Sequence, residues 1–515
     1  MIVAFRVDAS FQIGTGHVMR CLTLADDLRS KGVKIVFVCR KHPGHLDYTI
    51  KAQGYEVIGV KSGLGGECYQ DYTSLSSDAS WFGLDQSNDA EQTIEALQGN
   101  GLWDWIIVDH YALDYSWESA VREVANKIMV IDDLADRKHD CDLLLDQNYF
   151  HNPEKRYKGL LPEHCESLLG PKYALLRPEF REARKFCRMR GGGVGRVLVY
   201  FGGNDPDNIT GMALEALSDP DLSHLVVDAV VGPDNPNIKQ LEKQAHNRPG
   251  TRLHIQPEGF TELMLRADLC IGAGGTTTWE RLCLGLPSLV ITVAENQEPF
   301  TAELHNDGLI TWIGRKENVS VSDIKNSLES EIKKLQNQDF FSNSPNPVDG
   351  LGTLRVAEKI VPTNGNELTL RGACQEDMEL FYYWANDPVV RENSFQQEPI
   401  SWEKHVSWFQ NKLASQNTYI WVLQTPSVLP VGMVRLDVDQ EAVNISYSLD
   451  SIARGRGWGL KLVQLGIDKI YELDRGKIIQ AKVKQGNIAS IKIFHKLGFK
   501  ETGEDDVITF RKIIP

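Results

Sequence analysis

The sequence predicts an α/β fold: sheets of parallel strands wrapped by helices, followed by a separate C-terminal domain. Three observations predict it. Short apolar runs such as Ile35 to Cys39, Trp105 to Asp109 and Lys127 to Asp132 alternate with helical patterns such as Ala90 to Leu97, which argues for parallel sheets covered by helices. Glycine loops stand between an apolar run and a helical pattern at Gly14-Thr15-Gly16, Gly274-Gly275 and Gly455-Arg456-Gly457. A Pro/Asn/Gly stretch, Pro362 to Asn366, interrupts the chain before a new strand at Leu368-Thr369-Leu370-Arg371. These breaks divide the chain into a first lobe, 1–155, a second lobe, 156–361, a linker, 362–366, and a last domain, 367–515.

Composition narrows the function. The 515 residues are 42% hydrophobic and 24% charged, enough for two to four domains with ample cores. A net charge of −15 argues against a broad nucleic-acid-binding surface, although local basic pockets for phosphates remain open. Arg6 and Asp8 interrupt the first apolar run, so it does not read as a signal peptide, and no run is long enough to span a bilayer. The nine cysteines are scattered without a CxxC pair and read as reduced thiols of a cytoplasmic protein. His139 and Cys141 lack a second pair at ligand spacing, so no metal is expected. Oligomeric state is not legible.

In the first lobe Ile2 to Phe5 reads as a buried strand and Val18 to Leu28 as a helix, with Gly14 and Gly16 between them. Such a loop suits an anionic group, and His17 at its mouth can take a proton from water. The plain alternative is a glycine turn before a helix. Ligands of parallel sheets sit beyond the carboxyl ends of the strands, which draws attention to Asp109-His110-Tyr111 and Asp132-Asp133. Those acids serve equally as caps of turns or helices.

In the second lobe, Gly191 to Gly195 precedes a strand, Arg196 to Tyr200. Gly202 and Gly203 follow, and Asp207 or Asn208 caps the next helix. The strongest segment runs from Asp268 to Glu280. Gly274 and Gly275 admit a pyrophosphate close to the backbone, Thr276 and Thr277 can donate hydrogen bonds, and Glu280 can accept from a ribose diol. Thr276 to Glu280 also fits a simple capped helix. Leu286 to Ile291 is the next strand and leads into Ala294-Glu295-Asn296-Gln297. The G-x-G-x-x-G dinucleotide pattern is absent, so a nicotinamide cofactor is not indicated.

Arg6, Asp8, Ile13-Gly14-Thr15-Gly16-His17, Arg20 and Cys21-Leu22-Thr23-Leu24-Ala25 resemble the signature of the sugar-nucleotide hydrolases of pseudaminic acid biosynthesis. These enzymes cleave UDP-2,4-diacetamido-2,4,6-trideoxy-β-L-altropyranose. Asp142 to Asn148, the connector Leu168 to Phe180, and Val348-Asp349-Gly350-Leu351-Gly352 with Leu354 to Ile360 extend the likeness to about residue 361. The second lobe also resembles the nucleotide-binding half of two-lobed glycosyltransferases, so the likeness implies a GT-B-like pair of Rossmann-like lobes. It further implies inverting attack of water on the anomeric carbon, with UDP leaving. His17, Asn296 and Tyr111 would be the catalytic group. Arg6, Asp8, Gly14, Gly16, Arg20, Gly202, Gly203, Gly274, Gly275, Thr276, Thr277, Glu280 and Gln297 would hold the UDP-activated amino sugar. Arg177 either reaches a phosphate or lies on the surface.

The last domain carries Arg454-Gly455-Arg456-Gly457-Trp458-Gly459 between a strand, Asn444 to Leu449, and a helix, Leu460 to Tyr471. Earlier strands fall near Tyr419 to Leu423 and Val431 to Leu436. With Asn487, Ser490 and Phe494 to Phe499, this domain resembles the GNAT N-acetyltransferases. The likeness implies an α+β fold and acetyl-CoA, held by the loop 454–459 with Asn487 and Ser490. Phe494 departs from the pattern, because many GNAT enzymes have there a tyrosine that protonates the leaving thiolate. His405, among Trp402 and Trp408-Phe409, is either a base or a packing residue. Trp384-Ala385-Asn386-Asp387-Pro388 and Trp408-Phe409 resemble segments of the enzymes that acetylate the 4-amino group of the same UDP-sugar. Two rival readings remain: a glycosyltransferase with an alcohol acceptor, and a nucleotide-sugar or coenzyme A binding regulator without turnover.

Overall fold

The computed structural model describes residues 1–10, 13–60, 85–99, 101–187, 193–337, 345–440, 442–473, 478–502 and 506–513. The expected glycine break falls partly outside them, at Gly191 and Gly192. The chain forms two compact units, Met1–Ser342 with Pro347–Ile360, and Asn343–Asn346 with Val361–Pro515.

The first unit holds two parallel sheets. The first sheet contains β1 (Ile2–Val7), β2 (Lys34–Arg40), β3 (Glu56–Val60), β4 (Trp105–Asp109), β5 (Ile128–Ile131), β6 (Leu143–Asp146) and β7 (Glu166–Leu169), in the order β3-β2-β1-β4-β5-β6-β7. The second contains β8 (Arg196–Tyr200), β9 (Val226–Val231), β10 (Thr251–Ile255), β11 (Leu269–Ala273), β12 (Ser288–Thr292) and β13 (Thr311–Arg315), in the order β10-β9-β8-β11-β12-β13. Every pairing in both is parallel. The central strands β4, β11 and β12 are buried along their whole length and mostly apolar, as in a parallel sheet covered by helices on both faces. Each sheet reverses direction at its first strand, between β1 and β4 and again between β8 and β11. In doubly wound sheets ligands bind beyond the carboxyl edge of such a point.

Two sequence expectations need correction. The first sheet does not stop at residue 155, since β7 pairs with β6 as far as Leu169. The crossing to the second sheet therefore comes later. The helix Ile209–Leu217 is capped by neither expected residue: Asp205 accepts from the backbone N–H groups of Ile209 and Thr210. Asn208 takes a left-handed φ of 55° and makes no side-chain cap bond.

The expected closing helix, Gly352–Ile360, returns to the first lobe, where Lys31 Nζ lies 3.4 Å from Glu358 Oε2. A Cβ on Gly352 would lie 2.3 Å from the carbonyl oxygen of Ala174, so this helix can sit against the connector only as glycine.

The second unit is built on β14 (Thr369–Gly372), β15 (Thr418–Gln424), β16 (Pro430–Val438), β17 (Ala442–Leu449), β18 (Ile478–Lys484), β19 (Lys500–Thr502) and β20 (Val507–Ile513). Their order is β14-β15-β16-β17-β18-β20-β19. All neighbours run antiparallel except β17 and β18, which pair in parallel over Ala442–Asn444 and Ile478–Gln480. Leu380, Phe381, Trp384, Phe409, Ile420, Val422 and Met433 form one core cluster under β15 and β16.

Candidate active site

The two reversal points of the first unit face each other across a cleft of about 220 Å3. Gly16, His17, Arg20 and Tyr111 line it from the first lobe, and Gly274, Gly275, Thr276, Asn296 and Gln297 line it from the second. The walls are close: a Cβ on Gly16 would lie 4.0 Å from Thr276 Oγ1. Nine of the residues anticipated from sequence thus meet in one cavity.

His17 is the second residue of the helix Gly16–Ser30, the first helix after β1. Its Nδ1 lies 2.6 Å from Oδ1 of Asp109, the last residue of β4. Beside an anionic oxygen Nδ1 carries the proton and donates it, which leaves Nε2 as the acceptor nitrogen. Arg20, one turn along the helix, donates from Nε and Nη2 to the two oxygens of Asp109 at 2.6 and 2.7 Å. Burial opposes ionisation of Asp109, but Arg20 and then His17 hold its carboxyl well below the usual range. Arg20 Nη1 also donates to Asp133 Oδ2 at 2.8 Å, and Tyr111 Oη donates to the same oxygen at 3.0 Å. Burial and Asp133 push the Tyr111 phenol well up, so it stays protonated. The ring of Tyr111 stands edge-on to His17 at 4.7 Å. Asn296 Nδ2 donates to Tyr111 Oη at 3.3 Å, joining the lobes across the cleft.

On the opposite wall Gly274 must lack a side chain. A Cβ there would lie 2.9 Å from Thr301 Oγ1 and 3.3 Å from Gln297 Oε1. Gln297 is anchored by accepting from the Val293 N–H at 3.0 Å. Thr276 precedes the helix Thr277–Cys283 and makes no side-chain cap bond, so its hydroxyl is not spent on the capping alternative. Glu280 lies one turn into that helix. Its Oε1 is 3.7 Å from Arg177 Nη2, and its buried Oε2 has no hydrogen-bond partner among the described residues. Burial, opposed by Arg177 and Arg281, pushes its carboxyl up to about 7.

Other anticipated residues lie elsewhere. Arg6 and Asp8 are not on the cleft wall. Arg6 is fully buried, donating to Asp8 at 2.7 Å and to Asp89 at 3.1 and 2.7 Å. Asp8 also accepts from the Arg40 N–H and lies 3.2 Å from His110 Nε2. This buried ion network ties β1 to its neighbours, and its charges are taken up by one another. Gly14 makes the turn before His17 with φ 81°, its N–H donating to the Ser10 carbonyl. Gly202, Gly203, Thr277, Glu280 and Arg177 stand outside the cavity lining, the first two after β8 and the last two paired. Arg177 bonds more closely to Glu179, at 3.1 Å.

The strand-end acids Asp109 and Asp133 drew attention in the sequence without a role being assigned, and Asn148 was not singled out as a site residue; Asp133 and Asn148 line the cleft and Asp109 holds His17. The available signal was their position at or just past the carboxyl ends of β4, β5 and β6. His139 and Cys141 do not converge on a metal. His139 Nδ1 meets Glu118 Oε1 at 2.7 Å, while Cys141 Sγ lies 3.5 Å from Cys165 Sγ. Among the described residues no group of three or more His, Cys, Asp or Glu could hold a metal ion, and no helix is long and apolar enough to cross a membrane.

In the second unit Gly455 and Gly457 take φ of 76° and 75°, which only glycine adopts freely, and the helix Trp458–Leu473 begins directly after. A Cβ on Gly459 would lie 2.9 Å from Ile493 Cδ1. Trp458 is buried, with Arg456 over its ring at 5.1 Å. Arg454 is turned inward, to Asp387 at 2.7 Å and the Leu449 carbonyl at 3.1 Å. Asn487 caps the helix Ile488–Lys496 by accepting from the Ser490 N–H at 3.1 Å. His405 is a packing residue: it is buried among Tyr382, Trp402, Trp408 and Phe409, with Nε2 2.8 Å from the Met378 carbonyl. Burial lowers its affinity for a proton.

Residues 367–500 match the family model of the acetyltransferase (GNAT) domain. This unit is a GNAT domain. Ahead of it, the chain is homologous to the UDP-2,4-diacetamido-2,4,6-trideoxy-β-L-altropyranose hydrolase of Campylobacter jejuni, 28% identical over 61% of this chain and 97% of that enzyme. The spore coat polysaccharide biosynthesis protein SpsG of Bacillus subtilis is 27% identical over 36% of this chain and 56% of its own length. An uncharacterized protein of Methanocaldococcus jannaschii is 24% identical over 98% of this chain and 97% of its own length. The chain is thus a fusion of a hydrolase homologue with a GNAT domain.

Proposed function

We propose that the first unit hydrolyses a UDP-activated 2,4-diacetamido sugar to UDP and the free sugar, with inversion. We further propose that the GNAT domain uses acetyl-CoA to acetylate the 4-amino group of the precursor of that sugar nucleotide, both in pseudaminic acid biosynthesis. The observation that carries the first reading is the His17–Asp109 pair facing the Gly274–Thr276 loop across the cleft.

Asp109 fixes the proton on Nδ1, so Nε2 accepts a proton from water as it attacks the anomeric carbon. Tyr111 and Asn296 position the sugar or that water. The departing diphosphate gains charge, and the N–H groups of Gly274 to Thr276 with the threonine hydroxyl stabilise it in a sheltered site. The unpartnered Oε2 of Glu280 and its neighbour Oε1 suit the two hydroxyls of a ribose. In the GNAT domain the loop Arg454 to Gly459 faces the diphosphate of acetyl-CoA with N–H groups at the start of a helix. Support for the substrates comes from the Campylobacter jejuni relative and the GNAT match. Two consecutive steps on one chain keep the intermediate locally concentrated.

The test incubates the purified full chain with UDP-4-amino-4,6-dideoxy-N-acetyl-altrosamine, with and without acetyl-CoA. Mass analysis and UDP release score the halves separately. Release of UDP that depends on an added alcohol would instead favour a glycosyltransferase.

A further inference from the structure

The GNAT domain holds a hydroxyl pair that the reading above leaves unused. β17 and β18 pair only from Ala442 to Asn444. Beyond that point β17 keeps only β16 as a neighbour and β18 keeps only β20, so the two parallel strands part and open a wedge. Tyr447 stands on the parted stretch of β17. Its Oη lies 2.7 Å from Oγ of Ser490, in the first turn of the helix Ile488–Lys496. Its ring reaches the glycine-led helix as well, since a Cβ on Gly459 would lie 3.7 Å from Tyr447 Cε2. Tyr447 thus occupies the space between the starts of the two helices that flank the wedge.

Acetyl transfer from a thioester expels a sulfur that must receive a proton. Phe494, edge-on to Tyr447 at 6.2 Å, has none to give, and it is buried among Phe499 and Phe510. We propose that the Tyr447 hydroxyl delivers this proton to the departing sulfur of the acetyl donor, with the Ser490 hydroxyl holding the phenolic oxygen. The inference rests on the GNAT domain using a thioester donor bound at the 454–459 loop. The amine nitrogen attacks the acetyl carbonyl carbon, the carbon–nitrogen bond forms, and the pair of the carbon–sulfur bond stays on sulfur. Sulfur takes the phenolic proton. The phenolate, hydrogen-bonded by Ser490, recovers the proton that the amine loses, through water. Burial raises the Tyr447 pKa above its usual value, against the opposing Ser490 bond, so the phenol keeps its proton at neutral pH until sulfur demands it.

The experiment uses the full chain and its Y447F and S490A variants. With acetyl-CoA and UDP-4-amino-4,6-dideoxy-N-acetyl-altrosamine, Y447F is expected to lower kcat for thiol release by about thirtyfold with KM for acetyl-CoA within about twofold of the parent, and S490A to lower kcat by about fivefold. A second readout needs no acceptor. The thiol of bound coenzyme A is titrated by its ultraviolet thiolate absorbance, referenced to the desulfo analogue. Loss of the phenol donor is expected to raise its midpoint by about one pH unit. Y447F that keeps more than half of kcat, or leaves the thiol midpoint unmoved, overturns the proposal. So does Y447F that no longer binds coenzyme A, because Tyr447 is then a packing residue. A parent protein that binds coenzyme A but ignores the amino sugar sinks the acceptor assignment alone, and the thiol titration still decides Tyr447. A parent that binds no coenzyme A sinks both.

Discussion

The Nδ1 of His17 and the Oδ1 of Asp109 lie 2.6 Å apart, brought together by the loop after β1 and the last residue of β4. The pair belongs to one lobe, and the other lobe supplies the opposite wall of the cleft. H17A is expected to fold normally and to lose UDP release, because among the described residues no other imidazole lines the cleft. D109N keeps the shape but no longer selects the Nδ1 proton, and a loss of about a thousandfold in kcat is expected. Single-turnover UDP release with circular dichroism checks both. An H17A protein that turns over at the parent rate removes the imidazole from the mechanism.

Tyr111 and Asn296 make a hydrogen bond between the lobes at 3.3 Å. Y111F and N296A are each expected to lower kcat by about tenfold to a hundredfold. The double variant should lose less than the product of the two, since the groups act through one contact. A double-mutant cycle on kcat measures this coupling, and strictly multiplicative losses would show that the two residues act independently.

Glu280 is an acid whose carboxyl is raised to about 7 by burial. Its ionised form prevails above that pH, and in the proposed reading that form accepts hydrogen bonds from the ribose diol. Uridine, which carries no titrating phosphate, is therefore expected to bind more weakly as pH falls from 8 to 6, by about tenfold across the fully titrated range. E280Q should bind weakly at every pH, with the slope gone. Calorimetric titration of uridine at several pH values tests this, and a parent affinity flat with pH contradicts the ribose assignment.

His139 sits between Glu118 at 2.7 Å and Asp132 at 3.8 Å, fully buried. Burial disfavours its charge, yet Asp132 and Glu118 overcome this and raise it to about 9. The folded state thus binds a proton that the unfolded state releases near 6.5. Its contribution is fully present below that pH and is lost as pH rises through about 9, amounting to about 3 kcal/mol at most. Urea midpoints of the parent should fall over that interval, and H139Q should be less stable at pH 6 with a flatter profile. Equal slopes in the two proteins would refute the charged pairing.

Much of the site was legible because the residues that carry it are local. Gly16, His17, Gly274, Gly275 and Thr276 announce themselves as small or reactive residues between a strand and a helix, and the structure puts them in one cleft. Arg6 and Asp8 misled for a physical reason. A conspicuous Arg-x-Asp at a strand end looks the same whether it meets a ligand or, as here, neutralises itself against Asp89 far along the chain. The role of Asp109 depends on Arg20 and His17 arriving from another strand's loop, and spacing alone does not encode that pairing. The position of β7 was missed because Glu166–Leu169 is short and half polar, with a burial pattern of two exposed residues, one buried and one intermediate. The Tyr447–Ser490 contact was invisible because the two residues are 43 positions apart.

The connector and the helix Gly352–Ile360 run side by side, with Thr353 Oγ1 donating to the Leu176 carbonyl at 2.9 Å and Arg355 Nη1 to the Lys172 carbonyl at 2.7 Å. The polypeptide therefore leaves the first lobe and re-enters it at one spot, so the second lobe is a cassette with adjoining ends. A second lobe of different specificity could be spliced in at that seam while His17 and Asp109 stay where they are.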